Sequence, residues 1–135
     1  MTRREEAIEL KIKKALALMD EVEALIEHKF YTTAINRMYY SCFHATKALL
    51  LTQDLVPKTH SGVSTLLHQN FVLPNLFDSK HASFFNKLMN ERIEDDYSDF
   101  MILTQEEVDE FTKPAKEYLS YTLSVITRIF TKIDF

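Results

Sequence analysis

The chain is poor in the residues that shape sheets and disulfide-bonded scaffolds. Its 135 residues include one Gly, three Pro, one Cys and no Trp. Sheets connected by tight turns need several Gly, so their near absence favours helices joined by a few loops. The lone cysteine, Cys42, excludes an internal disulfide. Its position in an apolar helical stretch predicts a buried, inert thiol.

Long hydrophobic runs are also missing. No stretch approaches the roughly 18 consecutive apolar residues of a membrane span. Arg3 and Arg4 lead into acidic residues and not into an apolar segment, so the N-terminus does not resemble a signal peptide. The length fits one globular domain over residues 1–135, and a cytoplasmic location is the resulting expectation.

Positive charge is scarce and scattered. The formal net charge is −4, which does not favour binding of an extended nucleic-acid duplex but allows a short RNA segment or a nucleotide. The densest basic group is Lys11, Lys13 and Lys14. We expect it to form a solvated helix face, with a binding role as the alternative.

Apolar residues recur at helical spacing through most of the chain. Thr2 with Glu5, and Thr104 with Glu107, have the capping-box pattern of a helix start. Pro114 falls inside the last helix and should kink it or split it in two. The predicted fold is all-α, a five-helix, mostly antiparallel up-and-down bundle. The helices are expected at about residues 2–28, 32–52, 59–74, 79–97 and 104–133.

The second helix has an unusual polar stripe on an otherwise apolar sequence. Arg37 and His44 are seven residues apart, so they share one face at a separation of about 10 Å along the axis. Tyr40 and Ser41 lie between them on the same stripe. A permanent cation beside a group that titrates near neutrality suits chemistry on a phosphate. Taken alone, the pair is explained more simply by an Arg that pairs with a carboxylate and a His satisfied in the core.

Three segments together resemble the HEPN superfamily. The first is Asn36-Arg-Met-Tyr-Tyr-Ser-Cys-Phe-His-Ala-Thr-Lys-Ala-Leu-Leu50. The others are Pro57-Lys-Thr-His60, with the following Ser-Gly-Val, and Glu91-Arg-Ile-Glu-Asp-Asp-Tyr97. The ordered set is similar to the small stand-alone HEPN-domain proteins of bacteria and archaea, over about residues 5–130.

The resemblance implies a five-helix bundle that forms a two-fold homodimer, with the two motifs facing each other across a shared cleft. Many members of the superfamily are metal-independent endoribonucleases, and several act as toxins beside a small nucleotidyltransferase. Their catalytic signature is an Arg followed a few residues later by a His. Arg37 and His44 match it and enclose six residues.

The corresponding chemistry needs no metal or other cofactor. The 2′-hydroxyl of RNA attacks the neighbouring phosphorus, so the protein need not supply a nucleophile. His44 would take or return the proton. Arg37 would bind the non-bridging oxygens and stabilise the charge that builds in the transition state. Asn36, Tyr40 and Ser41 are the expected supporting residues.

The loop before the third helix offers two interpretations. Lys58 and His60 are candidate phosphate-binding residues if the loop reaches the cleft. Capping of the helix by Thr59 is the structural alternative. The remaining histidines, together with His60, lack the spacing of a zinc site and are expected at the surface or at helix caps: His28, His68 and His81.

Acidic residues crowd the end of the fourth helix, where negative charge opposes the helix dipole. Glu91, Glu94, Asp95 and Asp99 surround Asp96. We predict a structural salt bridge in which Arg92, or a basic residue of the second or third helix, pairs with Asp96. A carboxylate metal site is the minor alternative.

Three functions follow from these features. The leading one is binding of single-stranded RNA or a nucleotide, with possible metal-independent cleavage of RNA in a toxin-like role. The second is a non-catalytic module that binds a nucleotide or partners a nucleotidyltransferase, and the third is a purely structural helical subunit. Toxins modified by such a transferase commonly carry a Tyr two residues after the His. This chain has Thr46 there, which argues against that style of AMP transfer.

Overall fold

The computed structural model describes residues 1–97 and 104–130, with side chains described for 1–91 and 104–130. Within these ranges the chain is helical and contains no strand. The predicted all-α fold is confirmed, with the first predicted helix divided at Glu21. The helices are α1 (Arg3–Asp20), α2 (Val22–Glu27), α3 (Tyr31–Leu51), α4 (His60–Leu67), α5 (Ser79–Tyr97) and α6 (Gln105–Ile129), and a π-helical turn (His68–Val72) prolongs α4.

Side-chain caps start three of the helices. The Thr2 hydroxyl accepts a hydrogen bond from the backbone N–H of Glu5, as predicted. Thr104 and Glu107 form the complete capping box at the start of α6. Each cap satisfies a backbone donor that the first helical turn leaves without a partner. Pro114 lies inside α6 and does not split it, since α6 runs as one helix from Gln105 to Ile129.

The ends of three helical segments adopt a left-handed backbone without glycine. Lys29, Asp54 and Asn75 have φ values of 63°, 59° and 61°. After α2, the N–H of Phe30 donates to the carbonyl of Leu25 at 2.8 Å, the long bond of a Schellman motif. The N–H groups of Leu55 and Leu76 donate in the same way to the carbonyls of Leu50 and Phe71, which closes the ends of α3 and of the π-helical turn. The chain therefore accepts backbone strain at positions where glycine is usual.

The central helix of the bundle is α3, which contacts every other α-helix. It runs antiparallel to α1, since the Ser41 hydroxyl donates to the carbonyl of Ala15 at 2.7 Å while Asp54, beyond its far end, accepts from Arg4 at 2.9 Å. The α3 stripe that carries Arg37 and His44 lies on the side of α3 that faces α1 and α2. This pairing fixes the surroundings of the candidate site.

On its opposite side α3 packs against α6. The hydroxyls of Thr46 and Tyr118 lie 2.6 Å apart, and both side chains are fully buried. Cys42 lies one turn earlier with no exposed surface, and burial raises the pKa of its thiol. The buried thiol predicted from the sequence is confirmed. Among the described helices none is both long and apolar enough to cross a membrane.

Candidate functional site

Arg37 lies at the surface of α3 and faces the junction of α1 and α2. Its Nε donates to a carboxylate oxygen of Glu21 at 2.7 Å. The two side chains keep 39% and 54% of their surface exposed. The contact is therefore a solvent-screened ion pair, weak enough for an anionic ligand to replace the carboxylate. The simpler explanation of Arg37, a carboxylate partner, is thus present in the structure without burying the guanidinium.

His44 lies two turns further along α3, half-buried at the edge of a surface pocket. The pocket has a volume of about 390 Å³. Its lining comes from α1 and α3 and consists of Ala7, Leu10, Lys11, Lys14, His44 and Lys47. The imidazole is therefore neither enclosed in the core nor free in solvent, and it reaches a cavity that a ligand can enter.

The surroundings of His44 disfavour its protonated form. Partial burial lowers the pKa of His44 from 6.5 to about 4, and the positive charges of Lys14, Lys47 and Lys11 act in the same direction, followed by His60. At neutral pH the imidazole is consequently uncharged and has a lone pair with which to accept a proton. The neutral imidazole is the form in which a general base acts, and its low pKa makes it a weak base in the free protein.

The three pocket lysines share a lining that contains no carboxylate among the residues that the structure describes. Within the described residues, no ion pair within 4 Å involves Lys11, Lys14 or Lys47. Burial and the charges of the other two lysines lower the pKa of Lys11. Lys13, by contrast, lies on another face of α1 and pairs with Glu9 at 3.1 Å. Lys13 and Lys14 are both exposed, as expected of solvated lysines, and Lys11 is partly buried. The three do not share one face, because Lys11 and Lys14 line the pocket and Lys13 does not.

An aromatic cluster adjoins His44 and extends to the pocket lysines, since the Lys47 ammonium lies 5.3 Å from the centroid of the Phe43 ring. The ring of Tyr40 lies 6.3 Å from that of His44 and 5.9 Å from that of His60. His60 stacks on Phe43 at 4.5 Å, and its Nδ1 is 2.6 Å from the hydroxyl of Tyr39. The structure thus brings Tyr40, His44 and His60 together, as the sequence suggested. Aromatic rings are the side chains on which unpaired bases stack, and in this cluster His60 is itself stacked on Phe43 and Tyr39.

The loop before α4 contains the predicted helix cap, and the phosphate-binding role of Lys58 and His60 stays a prediction. Thr59 caps α4, since its hydroxyl accepts from the N–H of Gly62 at 2.9 Å. Because of this cap the following His60 is directed onto α3. Lys58 precedes the cap and is exposed. Asn36 is partly buried beside Arg37.

Two polar side chains of α3 serve the packing of the bundle. Ser41 is fully buried and donates to the carbonyl of Ala15, so it faces α1 and not the pocket. Thr46 is equally buried and donates to the carbonyl of Cys42 at 2.7 Å. We leave Ser41 out of the ligand-contacting residues proposed below. The hydroxyl of Thr46 is inaccessible to a modifying enzyme in this fold.

The predicted salt bridge between Arg92 and Asp96 lies outside the described side chains. It stays a prediction. In the rest of the chain, as far as the structure describes it, no group of three or more His, Cys, Asp or Glu side chains is arranged to hold a metal ion.

The fold agrees with a comparison against known families. A profile described as HEPN domain matches residues 8–125, most of the chain. The chain belongs to the HEPN domain family. The resemblance seen in the three sequence segments is thereby confirmed, and the helical bundle is a HEPN bundle.

Small archaeal and bacterial proteins are similar to this HEPN chain. A protein of Methanocaldococcus jannaschii named "Putative toxin MJ0142" is 33% identical over 85% of this chain and 78% of its own length. A second protein of that organism, "Putative toxin MJ0605", is 36% identical over 69% of each chain. A "UPF0332 protein" of Thermotoga maritima is 28% identical over 88% of this chain and 90% of its own.

Two parts of the site were not predicted from the sequence. One is Glu21, the partner of Arg37, and the other is the set of lysines around His44. Lys47 follows His44 by three residues, a spacing that places it on the same helical face and offered a signal. The density of lysines in α1 was a signal for a binding role, but their position beside His44 could not be predicted because it depends on how α1 is aligned with α3.

Proposed function

We propose that this HEPN protein binds single-stranded RNA along the α3 stripe and cleaves it without a metal, in a toxin-like role. The placement of His44 is the observation that carries the proposal. The side chain is half-buried at a pocket and neutral at pH 7, and a phosphate bound among the neighbouring lysines would offset their charge and raise its basicity toward that of a working general base. The names of two archaeal relatives, which include the word toxin, agree with this role.

The proposed reaction is an internal transfer within the RNA. His44 accepts the proton of a 2′-hydroxyl, whose oxygen forms a bond to the adjacent phosphorus. The bond from phosphorus to the 5′-oxygen of the next nucleotide breaks, and the proton returns to that oxygen. The products are a 2′,3′-cyclic phosphate and a free 5′-hydroxyl. Arg37, released from Glu21, binds the non-bridging oxygens as their negative charge increases.

The residues around the stripe would hold the RNA in place. Tyr40 and His60 provide ring faces against which a base adjoining the scissile phosphate can stack. Asn36 lies next to Arg37 on α3, and Lys58 extends from the loop before α4 as an exposed cation. No metal or other cofactor enters this scheme. The proposed active form is a homodimer in the cytoplasm, with the two α3 stripes facing each other.

Incubation of the protein with end-labelled single-stranded RNA in EDTA tests the proposal. We expect cleavage with 2′,3′-cyclic phosphate ends, and a loss of at least about 100-fold in rate for His44→Ala and for Arg37→Ala. Circular dichroism and thermal melting show whether each variant is folded. The nuclease function fails if folded wild-type protein leaves the RNA intact, or if both variants cleave at the wild-type rate.

A charge change beside Arg37 gives a gain-of-function test. Glu21→Gln removes the carboxylate that competes with RNA phosphate for the guanidinium. Since an exposed ion pair contributes about 0.2–1 kcal/mol, RNA affinity should rise up to about fivefold. Glu23→Gln is the matched control, because Glu23 pairs with Lys116 and not with Arg37. Equal gains in both variants would trace the effect to net charge and contradict the proposed competition.

The Arg37–Glu21 ion pair also favours a second candidate function. A guanidinium occupied by a carboxylate of its own chain suits a non-catalytic module that binds a nucleotide or a nucleotidyltransferase partner. The net charge of −4 fits a protein partner better than avid RNA binding. Folded protein that does not cleave RNA but associates with a purified nucleotidyltransferase would favour this function.

A further inference from the structure

The pocket beside His44 concentrates positive charge in an otherwise acidic protein. Lys11 and Lys14 approach from successive turns of α1, and Lys47 approaches from α3. The described chain provides no carboxylate in the lining and no ion pair for these three lysines. Lysines at a protein surface commonly lie beside carboxylates, as Lys13 and Lys116 do here. A cluster of lysines without one favours an anionic ligand.

The structure indicates that the three lysines repel one another. The charges of Lys47 and Lys14 contribute to the lowered pKa of Lys11, and those of all three contribute to that of His44. The fold therefore holds like charges together around a cavity whose described lining contains no carboxylate, and the contact of the Lys47 ammonium with the Phe43 ring, 5.3 Å from its centroid, eases this charge. Such an arrangement is unfavourable in the free protein and becomes favourable when an anion enters.

We propose that Lys11, Lys14 and Lys47 form a phosphoryl-binding subsite next to His44. Ammonium groups bind phosphate oxygens as mobile point charges, and three of them match the one to two negative charges of a phosphoryl group. A volume of about 390 Å³ accommodates a phosphate with its attached sugar. The apolar side of the pocket, formed by Ala7 and Leu10, would lie against the sugar.

The phosphoryl group has two possible sources. One is the backbone of single-stranded RNA, in which case the subsite rests on the proposed function and holds the phosphate next to the scissile one. The other is a free nucleotide or pyrophosphate. The subsite explains how a protein of net charge −4 binds RNA, because the positive charge is concentrated where the scissile bond must lie.

The double variant Lys11→Gln/Lys14→Gln tests the subsite. Its matched control is Lys13→Gln/Lys113→Gln, which removes the same two charges from lysines paired with Glu9 and Glu117. One probe is a fluorescent single-stranded RNA with 2′-O-methyl groups, which cannot be cleaved, so that binding is measured without turnover. The other probe is pyrophosphate, followed through the NMR signals of the His44 imidazole.

If the subsite exists, Lys11→Gln/Lys14→Gln (the pocket variant) should lose at least about tenfold in RNA affinity. Lys13→Gln/Lys113→Gln (the control) should lose less than about twofold. Loss of two phosphate contacts should also reduce the slope of log affinity against log salt by about 1.4.

If the pocket binds phosphate from RNA alone, pyrophosphate leaves the His44 signals of the wild type unchanged. If free phosphate is the source, pyrophosphate shifts those signals in the wild type and the control but not in the pocket variant, and RNA affinity is equal in the two variants.

Equal behaviour of the two folded variants toward both probes overturns the subsite, as does wild-type protein that binds neither probe. Failure of the proposed nuclease gives a different result. In that case wild-type protein leaves unmodified RNA intact, while the pocket variant still binds the probes more weakly than the control. The two proposals can therefore fail separately.

Discussion

At the residue scale, His44 owes its proposed role to position more than to identity. An exposed histidine is partly protonated near neutrality, whereas burial and three neighbouring lysines hold this imidazole in its neutral form. The same lysines would be neutralised by a bound phosphate, which would raise the pKa of His44 again. The imidazole would then accept a proton more readily when substrate is present than when the pocket is empty.

The lowered pKa of His44 predicts a specific pH dependence of stability. The unfolded chain binds the proton near pH 6.5 and the folded chain only near pH 4, so folding should weaken as the pH falls between these values. Solvent screening of the half-exposed ring reduces the loss to about 1–2 kcal/mol. Urea unfolding between about pH 7.5 and pH 4.5, compared with His44→Gln, measures this difference.

Other groups around His44 must be separated from its own effect. His60 contributes to the lowered pKa of His44, and its ring stacks on Phe43, so its contribution needs a variant of its own. The variant His60→Gln is therefore unfolded in parallel. If wild type and His44→Gln lose the same free energy of unfolding on acidification, the imidazole is not held neutral by the fold.

At the element scale, helix starts could be predicted from the sequence more readily than helix ends. Thr2 and Thr104 bond to backbone groups three residues away, so a short stretch of sequence contains the complete signal. Helix ends are usually marked by glycine, and here the only glycine, Gly62, lies inside α4. The division at Glu21 was missed for a related reason, since the apolar spacing continues across it.

A glycine at the end of α2 should stabilise the protein. Lys29 has φ of 63°, a conformation that costs an L-residue about 1–2 kcal/mol and glycine little. Part of the gain is offset by the greater freedom of glycine in the unfolded chain. We therefore expect Lys29→Gly to raise the free energy of unfolding by about 0.5–1 kcal/mol, measured by urea denaturation.

Lys29→Ala provides the control for the change at α2. It removes the same charge and the same side-chain length but keeps the Cβ atom, which causes the strain. Its stability should stay within about 0.5 kcal/mol of the wild type. A glycine variant no more stable than the alanine variant would mean that this helix end is not strained.

At the scale of the whole molecule, the site depends on tertiary contacts that local sequence patterns do not contain. The shared face of Arg37 and His44 follows from helical periodicity, and α3 bears it out. The position of Lys11 and Lys14 opposite His44 follows from the antiparallel alignment of α1 with α3, which Ser41 and Ala15 fix through a buried hydrogen bond. A shift of α1 by one turn would bring other side chains to the pocket.

The same alignment separates the two motif residues within one chain. Arg37 extends toward Glu21 beyond the end of α1, whereas His44 faces Lys11 and Lys14 in the middle of it. The two side chains start about 10 Å apart along α3 and contact different parts of the α1–α2 segment. A single phosphate would be reached more easily by Arg37 of one chain and His44 of another. A two-fold dimer supplies such a pair twice, since each contact in it occurs in both directions.

This arrangement predicts complementation between two inactive variants. In a dimer formed from one Arg37→Ala chain and one His44→Ala chain, one of the two shared sites retains both intact residues. Random mixing makes about half of the dimers mixed, so the RNA cleavage rate should recover to about a quarter of the wild-type value. Equal amounts of the variants are unfolded together in urea, refolded and assayed in EDTA. Each variant refolded alone is the control and should stay inactive. Dimeric mixtures without recovered cleavage would assign both residues to the same chain, and a monomer in sedimentation would contradict the shared site altogether.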